Sequence, residues 1–131
     1  MHFATIGGML DNFRLFNAGP DPFGRTWRVE YRWLQTAISI RHSDSVDVKF
    51  QISNGENVQE KVIALMLPQL MALAAKAGRA ITDPWCLKLA ALHLKQMIET
   101  DEDMDKTLVT ASPEDLERAN AVLEETIQAP Q

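Results

Sequence analysis

From Trp27 to Ile52 apolar and polar side chains alternate. Trp27, Val29, Tyr31 and Trp33 interleave with Arg28, Glu30 and Arg32. Ile38, Ile40 and His42 interleave with Ala37, Ser39 and Arg41, and Val46, Val48, Phe50 and Ile52 with Asp47, Lys49 and Gln51. A period of two marks a strand with one buried face, so the spacing predicts a three-stranded antiparallel meander within residues 26–53. A turn centred on Gln35-Thr36 sets Trp33 opposite Ile38 and Tyr31 opposite Ile40. A loop over Ser43-Asp44-Ser45 sets Ile40 opposite Val48. The same register places Arg41 between Glu30 and Asp47 on the polar face, where each cross-strand pair contributes ~0.2–1 kcal/mol.

Past Asn54-Gly55 the apolar spacing lengthens. Val58, Val62, Leu65, Met66, Leu70, Leu73 and Ala77 keep helical spacing, Asn57 and Glu60 have the spacing of a capping box, and Gly78 suits a left-handed helix end. Pro68 removes a donor inside this run, so the helix kinks there or divides in two. Asp83-Pro84 opens a second helix over Trp85 to about Glu99, and Ser112-Pro113-Glu114-Asp115 opens a third that runs to about Gln128. Residues 1–25 hold Gly7-Gly8, Asn17-Ala18-Gly19-Pro20 and Asp21-Pro22-Phe23-Gly24, turn-formers that favour no regular element. The expected fold is α+β, a three-stranded antiparallel meander followed by three helices packed on one sheet face. It forms one domain over 1–131, with an irregular segment at 1–25, the sheet at 26–53 and helices at 57–128.

Composition fits this picture: 131 residues with 46% hydrophobic and 24% charged side chains suffice for a single core and exclude a disordered chain. The net charge of −5 argues against a protein that coats nucleic acid by electrostatics alone. Acidity is concentrated late, since residues 99–131 carry ten acidic and two basic side chains whereas residues 1–55 carry five and six. The first ten residues lack the basic start and apolar run of a signal peptide. The most apolar stretch, Val62 to Ala75, is interrupted by Pro68 and Gln69 and is shorter than the roughly 20 residues a bilayer requires. With one cysteine, Cys86, and so no internal disulfide, the expectation is a cytoplasmic protein without a membrane segment.

Candidate chemistry is sparse. Cys86 and His93 fall on nearly the same helix face, but seven residues separate their backbones by about 10 Å, too far for a thiol–imidazole pair. Asp101, Asp103 and Asp105 have the spacing that opens a calcium loop, yet Lys106 stands where glycine is needed and Ser112 where the bidentate glutamate belongs, so a solvated acidic connector is expected. His2, His42 and His93 lack metal-ligand spacing, His42 being read as a structural residue at the sheet edge. Neither phosphate-loop pattern nor a serine nucleophile elbow occurs. No cofactor and no metal is expected.

What remains is surface. The second helix carries Trp85, Leu87, Leu89, Leu92, Leu94, Met97 and Ile98, a wider apolar arc than a three-stranded sheet covers, and the third helix offers only Leu116, Ala119, Val122, Leu123 and Ile127. The expected function is therefore a non-catalytic protein–protein interaction module, an adaptor, regulator or inhibitor. Its anchors are Trp85, Leu87, Leu94, Met97 and Ile98, and its partner is another protein or a second copy in a homodimer. The alternative is a small nucleic-acid-associated regulator that binds phosphates or acids through Arg28, Arg32, Arg41 and Lys49. Nucleic acid is the less favoured partner, because the aromatic side chains of those strands are expected to point into the core and Glu30 and Asp47 offset the arginines.

Overall fold

The computed structural model describes residues 12–37 and 44–128, the last three as backbone only. The elements run β1 (Leu15–Ala18), β2 (Trp27–Ala37), β3 (Ser45–Ser53), β4 (Val58–Met66), α1 (Leu67–Ala77), α2 (Asp83–Thr100), β5 (Leu108–Thr110) and α3 (Pro113–Gln128). The strands lie side by side in chain order. β1 to β4 are antiparallel, and β5 joins β4 in parallel after a crossover through α1 and α2. The α+β class holds, but the expected three-stranded meander is a mixed five-stranded sheet.

β4 is the largest correction: residues 58–66 form a strand, not the first half of a helix. Asn54-Gly55 does not end the sheet but turns it. Asn54 Oδ1 accepts from the Glu56 and Asn57 N–H groups at 3.0 and 2.8 Å, and Gly55 takes φ 95°, open to glycine without strain. The expected Asn57–Glu60 capping box is therefore replaced by a hairpin turn. Helical spacing misleads here because β4 lies between two strands and buries side chains on both faces, Ile63 and Leu65 on one and Ala64 on the other. Pro68 consequently sits in the first turn of α1, where its missing N–H costs no helix bond, and Gly78 closes that helix at φ 68° as expected.

β2 runs straight through Gln35 and Thr36, which pair with Asp47 and Val46 of β3, so no turn occurs there. Ile38, Ile40, Arg41 and His42 lie outside the described residues. Glu30 faces Gln51 while Asp47 faces Gln35, well apart along the described ladder, and the expected place of Arg41 between them lies outside the described residues. A bulge between Tyr31 and Trp33 also reverses the alternation of β2. Before it Val29 and Tyr31 face the helices. After it Leu34 does, and Trp33 turns to the open face, 36% exposed, with Lys49 Nζ 5.7 Å from its ring centroid.

The segment expected to be irregular contains β1 and a polar hub. Asp21 accepts from the Phe23 and Arg25 N–H groups at 2.9 and 2.8 Å, from Arg25 Nε at 2.8 Å and from Trp27 Nε1 at 3.1 Å. Burial raises its pKa, but these donors outweigh burial and hold it at about 2. Relative to an unfolded value of 3.8, this stabilises the fold above pH 3.8 and is lost as pH falls toward 2.

The helices cover the face that carries Val29, Val48, Phe50, Ile52, Ile63 and Leu65. α2 reaches β1 to β4, and α3 packs over α2 and α1. Thr82, one residue earlier than expected, caps α2 by accepting from Trp85 N–H at 3.3 Å. Ser112 and Asp115 cap α3 reciprocally at 2.9 and 3.0 Å. Trp85 Nε1 donates to Asn120 Oδ1 at 3.1 Å, joining α2 to α3 through the core. Lys61, 2% exposed on β4, donates to the Met104 and Lys106 carbonyls at 2.6 Å each and pins the acidic connector before β5. Removing it leaves two carbonyls short of a donor, so Lys61→Met is expected to cost about 1–3 kcal/mol in denaturant melts. A variant as stable as the parent would show that the ammonium does not hold this loop.

Candidate functional site

Among the described residues no three His, Cys, Asp or Glu side chains come together in a group able to hold a metal ion. No helix among them is long and apolar enough to cross a membrane. Asp101 and Asp103 take left-handed backbone conformations, φ 60° and 57°, in the turn that ends α2, and Lys106 lies 3.2 Å from Asp103. Cys86 is buried, and burial, with Asp83 nearby, pushes its pKa up to about 11, which keeps the thiol protonated at neutral pH.

The five helix residues expected to anchor a partner, Trp85, Leu87, Leu94, Met97 and Ile98, are all core, none more than 6% exposed. The sheet fills one side of α2 and α3 the other, so a partner contact through these side chains would require opening the fold. The basic residues of the alternative reading are placed differently. Arg28, Arg32 and Lys49 lie on β2 and β3 away from the helices, whereas Arg41 is outside the described residues. Arg32 lies 3.8 Å from Glu30 and Lys49 3.0 Å from Glu60, so two of the three cations are already paired. Trp33 joins them on that face, against the expectation that every aromatic of β2 points inward.

The built site lies elsewhere. Leu92, His93, Lys95, Gln96 and Glu99 of α2 and Asp115, Arg118, Ala119 and Val122 of α3 line a cavity of about 350 Å³, within the range of ligand pockets. His93 forms its floor. Its side chain is 3% exposed, and neither Nδ1 nor Nε2 makes a hydrogen bond. Nε2 points at Asp115 Oδ2 across 3.7 Å, too far for a hydrogen bond. Burial lowers the His93 pKa below 6.5, Asp115, Glu102 and Asp103 opposing and Arg118 assisting, so the ring is neutral at pH 7.

The walls are better satisfied. Asp115 Oδ1 lies 3.2 Å from Arg118 Nη2, Oδ2 accepts from Ser112 N–H, and Lys95 holds Glu99 at 2.7 Å. Burial raises the Asp115 pKa, but the Ser112 N–H, His93, the Ser112 hydroxyl and Arg118 together bring it below its ordinary value. Comparison with known protein families, with characterised proteins and with solved structures finds no match.

Sequence reasoning weighs His93 against Cys86 and, with His2 and His42, against metal-ligand spacing, and misses Asp115, Arg118, Lys95, Gln96 and Glu99 as its neighbours in a site. Two signals were present: one histidine in an otherwise apolar stretch of α2, and an Asp–Arg pair three residues apart at the start of α3. Their meeting is a product of helix packing.

An imidazole buried without partners costs stability, so replacing it with an apolar side chain of similar size is expected to be neutral or to stabilise by up to about 2 kcal/mol at pH 7. The unfolded chain protonates near 6.5 and the folded ring below it, so native stability is fully present above pH 6.5 and declines as pH falls through the interval beneath. Melts of His93→Leu from pH 7 to 5 should therefore lack the histidine-linked part of that decline. A large loss of stability at pH 7 would mean that the ring holds a structural contact.

Proposed function

We propose that the protein is a non-catalytic interaction module that receives part of a partner in the cleft between α2 and α3. The observation behind this reading is the buried, unpartnered His93 beneath a cavity with charged walls and an apolar side formed by Leu92, Ala119 and Val122. Buried polar groups normally find partners, and one that does not at the bottom of a cleft is better explained by recognition than by folding. The charged groups around it are engaged with one another, and the cysteine of the same helix is a protonated core residue, so the arrangement favours binding over nucleophilic chemistry.

The experiment is site-specific photo-crosslinking in the native host. Benzoylphenylalanine in place of Gln96, at the cleft, is expected to give a defined adduct that is lost when Val122→Trp fills the cavity. An adduct at twice the chain mass would identify the partner as a second copy. Crosslinks formed only from Gln51, on the open sheet face, would overturn the cleft as the site.

One observation favours a second reading: the bulge places Trp33 beside Lys49 on the face that carries Arg28, the combination that stacks bases and contacts phosphates. With Arg32 and Lys49 paired to carboxylates, tight binding is not expected. Anisotropy titrations with mixed-sequence DNA or RNA at near-physiological salt should give no dissociation constant below about 1 μM. A tighter, steeply salt-dependent complex would transfer the function to the sheet.

A further inference from the structure

The cleft has a donor excess that selects its occupant. Arg118 is 46% exposed in its side chain and places one nitrogen on Asp115, leaving the rest of its guanidinium fork without a partner among the described residues. Lys95 has Glu99 as its described ion-pair partner, and Gln96 adds an amide at the same wall. Asp115, by contrast, has both oxygens engaged, one by Arg118 and one by the Ser112 N–H. Planar, paired N–H donors match a carboxylate, and the apolar part of the lining, Leu92 from α2 with Ala119 and Val122 from α3, suits a short branched apolar body.

His93 gives this site a second property. Asp115 stands between Arg118 and the imidazole, its Oδ1 on the first and its Oδ2 3.7 Å from Nε2 of the second. A carboxylate arriving at Arg118 competes with Asp115 for the guanidinium and frees it to close the short gap to His93. The charges that act on the ring are Asp115 and Arg118 from α3 and Glu102 and Asp103 from the loop after α2, while Lys95 and Glu99 of α2 line the same cavity as an ion pair. Once Asp115 leaves Arg118 for the ring, the balance at Nε2 shifts toward the protonated form. The entering anion brings one negative charge and the proton, drawn from solvent onto the imidazole, offsets it.

We infer that the α2–α3 cleft binds a carboxylate carrying a short apolar body, with Arg118 as its receptor and His93 taking up a proton through Asp115 as it binds. This rests on the cleft being the recognition site and names the chemistry recognised there. Two sources present that chemistry, a free branched-chain acid and the C-terminus of a protein chain ending in an aliphatic residue.

Calorimetric titration of the full chain at pH 7, in two buffers of different ionisation enthalpy, separates them. Isovalerate and the peptide acetyl-Ala-Ala-Leu with a free C-terminus are the probes, and isovaleramide and the amidated peptide are the controls. Binding of isovalerate identifies a free acid as sufficient, and binding of the peptide alone identifies a chain terminus. In either case the amide control should bind at least about tenfold more weakly, and Arg118→Gln should lose at least about tenfold in affinity. Heats that differ between buffers report proton uptake, which His93→Leu should abolish, and because His93 belongs to the cleft the same variant should also bind more weakly. The exposed position of Arg118 keeps its variant folded, and a thermal melt of each variant verifies this.

Equal affinity for acid and amide, an unaffected Arg118→Gln, or no binding of either acid up to about 10 mM overturns the proposal. Buffer-independent heats, or uptake that survives His93→Leu, overturn the proton coupling. A cleft that still crosslinks a partner from position 96 while rejecting both acids keeps its role as the recognition site and loses this chemistry.

Discussion

The structure depends on covering α2 from both sides. Trp85, Leu87, Leu89, Ala90, Ala91, Leu94, Met97 and Ile98 are buried around most of its circumference, and a helix with so little polar surface is stable only between two apolar layers. The sheet supplies one layer and α3, supported by α1, the other. Chain order follows from the same need: the crossover carries α1 and α2 over the sheet, and β5 returns to the edge beside β4 before α3 closes the outer side. One face of the sheet is spent on this burial. The other is left with a mixed set of charges and the single indole that the bulge turns outward.

Among the described residues four polar or charged side chains are drawn into this interior, and three are satisfied. Asp21 gathers the donors of its own loop and the Trp27 indole, Lys61 fixes the connector before β5, and Asn120 receives the Trp85 indole while donating to Glu124 at 3.1 Å. Each ties a loop or a helix to the core at a point where apolar packing alone gives no orientation. His93 is the fourth, and its two bare nitrogens set it apart. The contrast is what makes the cleft above it the candidate site: the other three are satisfied, whereas His93 borders a cavity with both ring nitrogens bare, and beyond it only Gln69 Oε1 on α1 is a buried side-chain polar atom without a hydrogen bond among the described residues.

The paired charges around that cleft also explain how it coexists with a net-negative chain. Lys95 with Glu99 and Arg118 with Asp115 cancel locally, so the cavity has no strong field of its own. Selectivity there comes from which hydrogen-bonding capacity is left over, not from net charge.

The sequence by itself determined the elements whose signals are local. The alternation of Val46 to Ile52 reports β3, Ser112 and Asp115 report the start of α3, and Gly78 the end of α1, because periodicity, caps and left-handed glycines act within a few residues. It also determined that α2 is apolar nearly all round. Tertiary structure decided what depends on neighbours distant in the chain. Residues 58–66 became a strand because β3 and β5 flank them, and burial on both faces erases the alternation that marks a strand with one face in water. Trp33 turned outward because one extra residue in β2 inverts every side chain beyond it. Whether the apolar arc of α2 was surface or core was settled by α3 lying across it, and His93 met Asp115 and Arg118 only when that packing brought two helices together.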